Sequence, residues 1–185
     1  MRKDFGAKAW LYPQPVLIIA SYDENGIPDA MNAAWGGTHD YEEIAMCLSA
    51  GHKTVKNILK RKAFTVSPAV AEFAAECDYL GLVSANDTPD KLQRAGLHTV
   101  KSEKVDAPLI CELPMTFECE LKSYDAESGI MVGKVVNVCA DESILTDGVI
   151  DLEKYSPITF DAVHNTYVRL GTVAGNAFCD GLKFK

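Results

Sequence analysis

The sequence predicts a mostly β fold with short helices, a barrel or a sandwich folded as a single domain over residues 1–185. Three observations predict it. A chain of 185 residues suits one domain and can bury about 70% of its unfolded surface without disulfide staples. The clearest periodicity has a step of two: Met115, Phe117, Cys119 and Leu121 alternate with Thr116, Glu118, Glu120 and Lys122, which gives one buried and one wet face. Strand-like runs outnumber short helical ones without regular βαβ alternation, which favours a barrel or sandwich over a doubly wound sheet.

In chain order, residues 15–22 read as a buried strand. The turn Asp23-Glu24-Asn25-Gly26 carries a short hairpin signal in Asn25-Gly26, and residues 28–35 return as the partner strand. Ile44 to Ser49 is a strand with Ile44, Met46 and Leu48 on one face. Thr54 to Lys62 reads as a helix, with Val55, Ile58 and Leu59 as its apolar stripe and Thr54 as its N-cap. Ala63 to Ser67 is strand-like and stops at Pro68. Val70 to Cys77 and Pro89 to Ala95 are short helices, the second ended by Gly96. After the alternating strand, Ile130 to Cys139 is apolar on both faces, as a central or interface strand would be. Tyr167 to Val173 is a late strand.

Composition narrows the function. A net charge of −8 argues against nucleic-acid binding, which needs a basic face. No apolar run approaches the roughly 18 residues of a spanning helix. The start, Met1 to Gly6, lacks an apolar signal core and reads as cytosolic. Six cysteines form no CxxC pair, so zinc and iron–sulfur frameworks are not indicated and reduced thiols are expected. Cys119 reads as a small core residue. The four histidines lack metal-ligand spacing, and His39 and His164 read as ordinary polar residues.

Two segments carry chemistry. Pro28 to His39, PDAMNAAWGGTH, is rich in small residues that let a ligand approach the backbone. Asn32 adds an amide and Trp35 a large aromatic, a combination suited to a flat heteroaromatic ligand. Ser49-Ala50-Gly51-His52-Lys53-Thr54 joins a strand to a helix, whose first amides are unpaired and attract phosphate. His52 and Lys53 add charge, and Ser49 and Thr54 add hydroxyls. The P-loop spacing is absent. The segment reads either as a phosphate site or as a solvated helix face with a Thr cap. Asp90-Lys91 reads as the start of a short helix. No GxGxxG follows a strand, which argues against a dinucleotide fold.

Taken in order, these motifs resemble the flavin reductase-like family, in particular the flavoredoxins. PDAMNAAW resembles the family's Asn-Ala-Met-Thr/Asn-x-x-Trp segment. The turn ending in Lys53-Thr54 follows. Then Asp78-Tyr79-Leu80-Gly81-Leu82-Val83-Ser84, Asp90-Lys91-Leu92 and Ala95-Gly96-Leu97 resemble the stretch CGxxSGxxxDKFxxAGL. The ELPMTFECEL and Val132-Gly133-Lys134-Val135 strands complete the set. The match spans roughly residues 13–171.

The resemblance implies an FMN-binding split β-barrel of Greek-key type that dimerises with a second copy. It implies that Asn32, Ala33, Ala34 and Trp35 contact the flavin ring or ribityl chain. It implies that Ser49, His52, Lys53 and Thr54 hold its phosphate, and that Ser84 and Lys91 approach from the other side. FMN is implied over FAD. The implied function is flavoredoxin-like electron transfer or flavin reduction, with electrons from a reduced nicotinamide or a redox protein. The alternatives are a flavin-storage module and the reductase component of a two-component flavin monooxygenase. The chain departs from many relatives in two places: His52 and Lys53 stand where an Arg is common in the phosphate turn, and Ser128 lies near the place of a His.

Overall fold

The structure is a computed structural model that describes residues 1–185. In chain order it contains β1 (Leu17–Tyr22), β2 (Pro28–Ala33), β3 (Gly36–Asp40), β4 (Glu43–Cys47), α1 (Lys53–Arg61) and β5 (Ala63–Pro68). These are followed by α2 (Ala74–Leu82), α3 (Lys91–Arg94), β6 (Thr99–Lys101), β7 (Pro108–Ile110), β8 (Met115–Tyr124) and β9 (Ile130–Ala140). The short hairpins β10–β11 (Leu145–Thr146, Val149–Ile150) and β12–β13 (Ile158–Asp161, Thr166–Arg169) complete the fold. No helix is long and apolar enough to cross a membrane.

Seven strands form one sheet in the order β2-β1-β5-β8-β9-β4-β3, antiparallel throughout. Its two edges, β2 and β3, are separated in sequence only by Ala34 and Trp35. Two residues span at most about 10 Å. The sheet must therefore curl until its edges meet, and Ala34 and Trp35 mark the seam.

β1 is buried on both faces because the curl places a core on each side. Leu17 and Ile19 join Met46, Phe64, Met131 and the α1 residues Val55 and Ile58. Val16, Ile18 and Ala20 join Cys77 and Leu80 of α2, Leu92 of α3 and Ile158 of β12. At Gly133 of β9 an added Cβ would lie 2.3 Å from Phe64 Cζ, so the ring occupies the space a side chain would take.

Most predicted elements are present, with differences that have physical causes. Thr54 does not cap α1: His52 is the N-cap residue, and the Thr54 hydroxyl turns inward to donate to Asp29 Oδ2 at 2.6 Å. Asn25-Gly26 lies in a five-residue loop, Asp23 to Ile27, held by Asn25 and Ile27 amides donating to Asp23 Oδ1. The helix predicted over 70–77 begins with a 3-10 turn and runs as α2 over 74–82. The wet face of β8 is not uniformly wet, since Thr116 and Glu118 are buried. Thr116 meets the Ser67 hydroxyl at 2.7 Å, and Glu118 accepts from Ser102 and Asn137. β9 is buried over Met131, Val132 and Gly133, then leaves Val136 and Val138 exposed.

Candidate functional site

The C-terminal end of β2, the seam and the start of α1 surround a cleft of two adjoining chambers. The first, about 540 Å³, is lined mainly by apolar groups. Asn32, Ala33, Ala34 and Trp35 form one wall, Cys47, Leu48 and His52 a second, and Asp78, Gly81 and Leu82 of α2 a third. Phe160 and Tyr167 of the β12–β13 hairpin complete it. The second chamber, about 410 Å³, lies between the α1 N-terminus and the segment after α2; His52, Lys53, Thr54, Ser84 and Lys91 are among its lining residues. Met31, Asn32, His52, Gly81 and Leu82 line both chambers, so the two are continuous. Volumes of this size are typical of small-molecule sites.

The aromatic wall is a chain of three rings. Trp35 and Phe160 have centroids 6.3 Å apart, and Phe160 and Tyr167 6.1 Å apart. Trp35 stays 54% exposed, leaving much of its indole uncovered. The Tyr167 hydroxyl donates to Asp78 Oδ1 at 2.7 Å. Burial, and then this bond, push its phenol up to about 12, so it remains a protonated donor at neutral pH. Asn32 Nδ2 donates to the Cys77 carbonyl at 3.0 Å, tying β2 to α2. A Cβ on Gly81 would lie 3.1 Å from Asn32 Cβ, so the glycine permits this close approach.

The second chamber is cationic and rich in donors. The first-turn amides of α1 have no intrahelical acceptors, and the helix dipole adds positive partial charge. Lys53 reaches the chamber and lies 3.8 Å from Asp23 Oδ2 in a loose ion pair. The Lys91 ammonium, 3% exposed, lies 3.2 Å from Asp29 Oδ1 and donates to the Val83 carbonyl at 3.3 Å. Ser84 Oγ accepts from the Asn86 amide at 3.2 Å, which leaves its proton available. Thr54 offers its amide, since its hydroxyl is committed to Asp29. Further along α1 the basic side chains serve the surface: Arg61 is paired with Asp106 and Lys60 with Glu24.

Of the ten residues singled out in the sequence, nine line one or both chambers. Ser49 lines neither; its hydroxyl accepts from the Gly51 amide at 3.4 Å, within the turn. Ser128 sits beside the first chamber, where its carbonyl accepts from the Cys47 thiol at 3.6 Å. Its hydroxyl folds back onto Asp125. Sequence reasoning missed Cys47, Asp78, Leu82, Phe160 and Tyr167 as lining residues and Asp29 as the partner of Lys91. Phe160 and Tyr167 face each other across a two-stranded hairpin whose strands are too short to show alternation.

A chamber with an aromatic wall suits a flat ring, and a donor-rich chamber continuous with it suits an attached anion. Comparison with known proteins gives the family. The chain resembles a flavoredoxin of Desulfovibrio vulgaris (Miyazaki F) with 34% identity and a TM-score of 0.92, over 98% of this chain and 100% of that one. It also resembles a flavoredoxin from Methanosarcina acetivorans, at 20% identity and a TM-score of 0.86, over 100% and 98% of the two chains. Nitrilotriacetate monooxygenase component B from Bacillus cereus shares the fold at 20% identity and a TM-score of 0.76, over 90% and 89%. Residues 9–158 match the flavin reductase like domain. The curled seven-stranded sheet is therefore a split barrel, and the chain belongs to the flavin reductase-like family.

Proposed function

We propose that the protein binds FMN across the two chambers and passes electrons through it from a reduced nicotinamide or a redox protein. The observation that carries this reading is the continuity of an aromatic chamber with a cationic one at a helix N-terminus. The residues present fit the group: Trp35, Phe160, Tyr167 and Leu82 offer apolar surface for a ring system. Lys53, Ser84, Lys91 and the first amides of α1 offer donors for one phosphate. When bound, FMN supplies the redox chemistry, and the protein supplies orientation and electrostatics. No dinucleotide fingerprint is present, which supports FMN over FAD. The visible spectrum of the purified protein after desalting, followed by titration with FMN, FAD and riboflavin, tests the reading. Flavin bands that titrate with FMN support it, and clearly tighter FAD binding overturns the preference.

Lys53→Ala separates phosphate recognition from ring recognition. Hydrogen bonds to charged groups contribute about 1.5–3 kcal/mol, and each 1.4 kcal/mol is tenfold in affinity. FMN affinity is expected to fall by roughly ten- to a hundredfold while riboflavin affinity barely changes. Equal losses would assign Lys53 a structural role.

The cysteines give an independent check on the ring position. Cys77 and Cys119 are fully buried, and burial pushes both thiols up to about 12. Because the thiolate is the reactive form, neither is expected to react with an aromatic disulfide reagent until the protein unfolds. Exposed Cys47, Cys111 and Cys179 are expected to react. Saturating FMN should slow the reaction of Cys47 alone, because only Cys47 of these three lines the ring chamber. Mass mapping of the labelled peptides reads the result.

A homodimer belongs to the same proposal. Val136 and Val138, 40% and 43% exposed, stand on the outer face of β9, where a second copy would cover them. Light scattering is expected to give the mass of a dimer at micromolar concentration.

A further inference from the structure

Asp29 stands in an unusual place for a carboxylate. It lies on β2 at 3% exposure, beneath the cationic chamber, with Lys91 equally buried beside it. Its Oδ2 accepts from the Thr54 hydroxyl at 2.6 Å and faces Asn57 Nδ2 at 3.5 Å. Its Oδ1 lies 3.2 Å from Lys91 Nζ, yet no donor is aligned on it. The ammonium donates instead to the carbonyls of Val83 and Leu80, at 3.3 and 3.5 Å. Lys91 is thus neutralised by a carboxylate that gains no well-aligned hydrogen bond from it, and it lines the chamber proposed for the phosphate.

We infer that Asp29 is a built-in rival of the flavin phosphate for Lys91, so that the chamber's affinity for that phosphate is held down and the flavin can exchange. The inference rests on the FMN reading given above. A carboxylate beside the buried ammonium of that chamber has two effects. It cancels the charge that would attract a phosphate, and it repels the arriving dianion across a low-dielectric wall. Asp29 acts through Lys91 and is a positioning residue. Thr54 belongs to the same device: its hydroxyl holds the carboxylate in place and is thereby withheld from a ligand.

Asp29→Asn is the test. It keeps an acceptor for Thr54 and removes the charge. Lys91 then lacks a counter-ion, and a phosphate becomes the group that neutralises it. The ratio of FMN to riboflavin affinity is expected to rise by about tenfold or more, because a charge-assisted contact is gained without competition. Inorganic phosphate alone is expected to raise the melting temperature of the Asp29→Asn apoprotein by more than it raises that of the wild type. A ratio that stays level or falls, or a phosphate response no larger than wild type, overturns the inference. Asp29→Ser makes the same predictions if the Asn variant folds poorly. Failure of the flavin reading is distinguishable: the wild type would then bind neither flavin, while the phosphate melting shift would still report on Asp29.

Discussion

Replacing Phe64 by alanine is expected to lower stability by about 3–5 kcal/mol, the range for truncating a buried aromatic. Phe64 is fully buried on β5, in the core shared by α1 and the inner faces of β1, β4 and β9. Its ring edge fills the space above Gly133, where a Cβ would lie 2.3 Å from Cζ. That space has no other occupant, so the truncation leaves a cavity next to the position least able to refill it. Gly133→Ala attacks the same contact from the other side. It forces the ring to move and is expected to cost about 1–3 kcal/mol by overpacking. Because both changes act on one contact, they should not add. The pair Gly133→Ala with Phe64→Leu should be more stable than the sum of the single losses predicts. Urea titration of Phe64→Leu, Gly133→Ala, their double variant and wild type measures this, and strict additivity would show that the contact is not tight.

Lys91→Met is expected to be comparably destabilising, by about 3–5 kcal/mol, because it leaves the Asp29 carboxylate buried without a counter-charge. The carboxylate keeps the Thr54 hydroxyl, which limits the loss without balancing the charge. Adding Asp29→Asn to Lys91→Met removes the stranded charge and keeps the acceptor for Thr54. Most of the stability should then return, as it does when both members of a buried pair are neutralised. Chemical denaturation of the two single variants and the double variant closes the cycle. If Lys91→Met unfolded as the wild type does, the pair would be energetically idle.

The elements legible in the sequence were those whose pattern is carried by their own residues. β1 opens on the apolar run Leu17-Ile18-Ile19-Ala20, β4 and the residue after it show Ile44, Met46 and Leu48 at period two, and α1 shows Val55 and Ile58 on one face. β3 was missed because Gly36-Gly37-Thr38-His39-Asp40 has no apolar period; it pairs because β4 supplies a partner. Glu118 was read as wet because alternation says which face a residue takes, not what later covers that face. Here the segment after β6 brings Ser102 onto it. The site divides in the same way. Asn32, Trp35 and Lys53 stand out by chemical type in a local context. Asp29 and Lys91 meet only through the packing of α3 against β2, and Phe160 and Tyr167 reach the cleft only because their hairpin folds over it.

The two-residue link at the seam has a mechanical consequence. Followed around the curl, the strands form a ring with six hydrogen-bonded ladders and one junction that is covalent chain, Ala34 and Trp35. Widening the ring anywhere else breaks a ladder. At the junction β2 and β3 are not paired with each other, and Trp35 is tied to β4 through its carbonyl, which accepts from the Cys47 amide at 2.8 Å. Trp35 lines the ring chamber on one side and, on the other, a third cavity of about 430 Å³ beneath the N-terminal arm. The indole is therefore a partition shared by two cavities, so that turning it to enlarge one narrows the other.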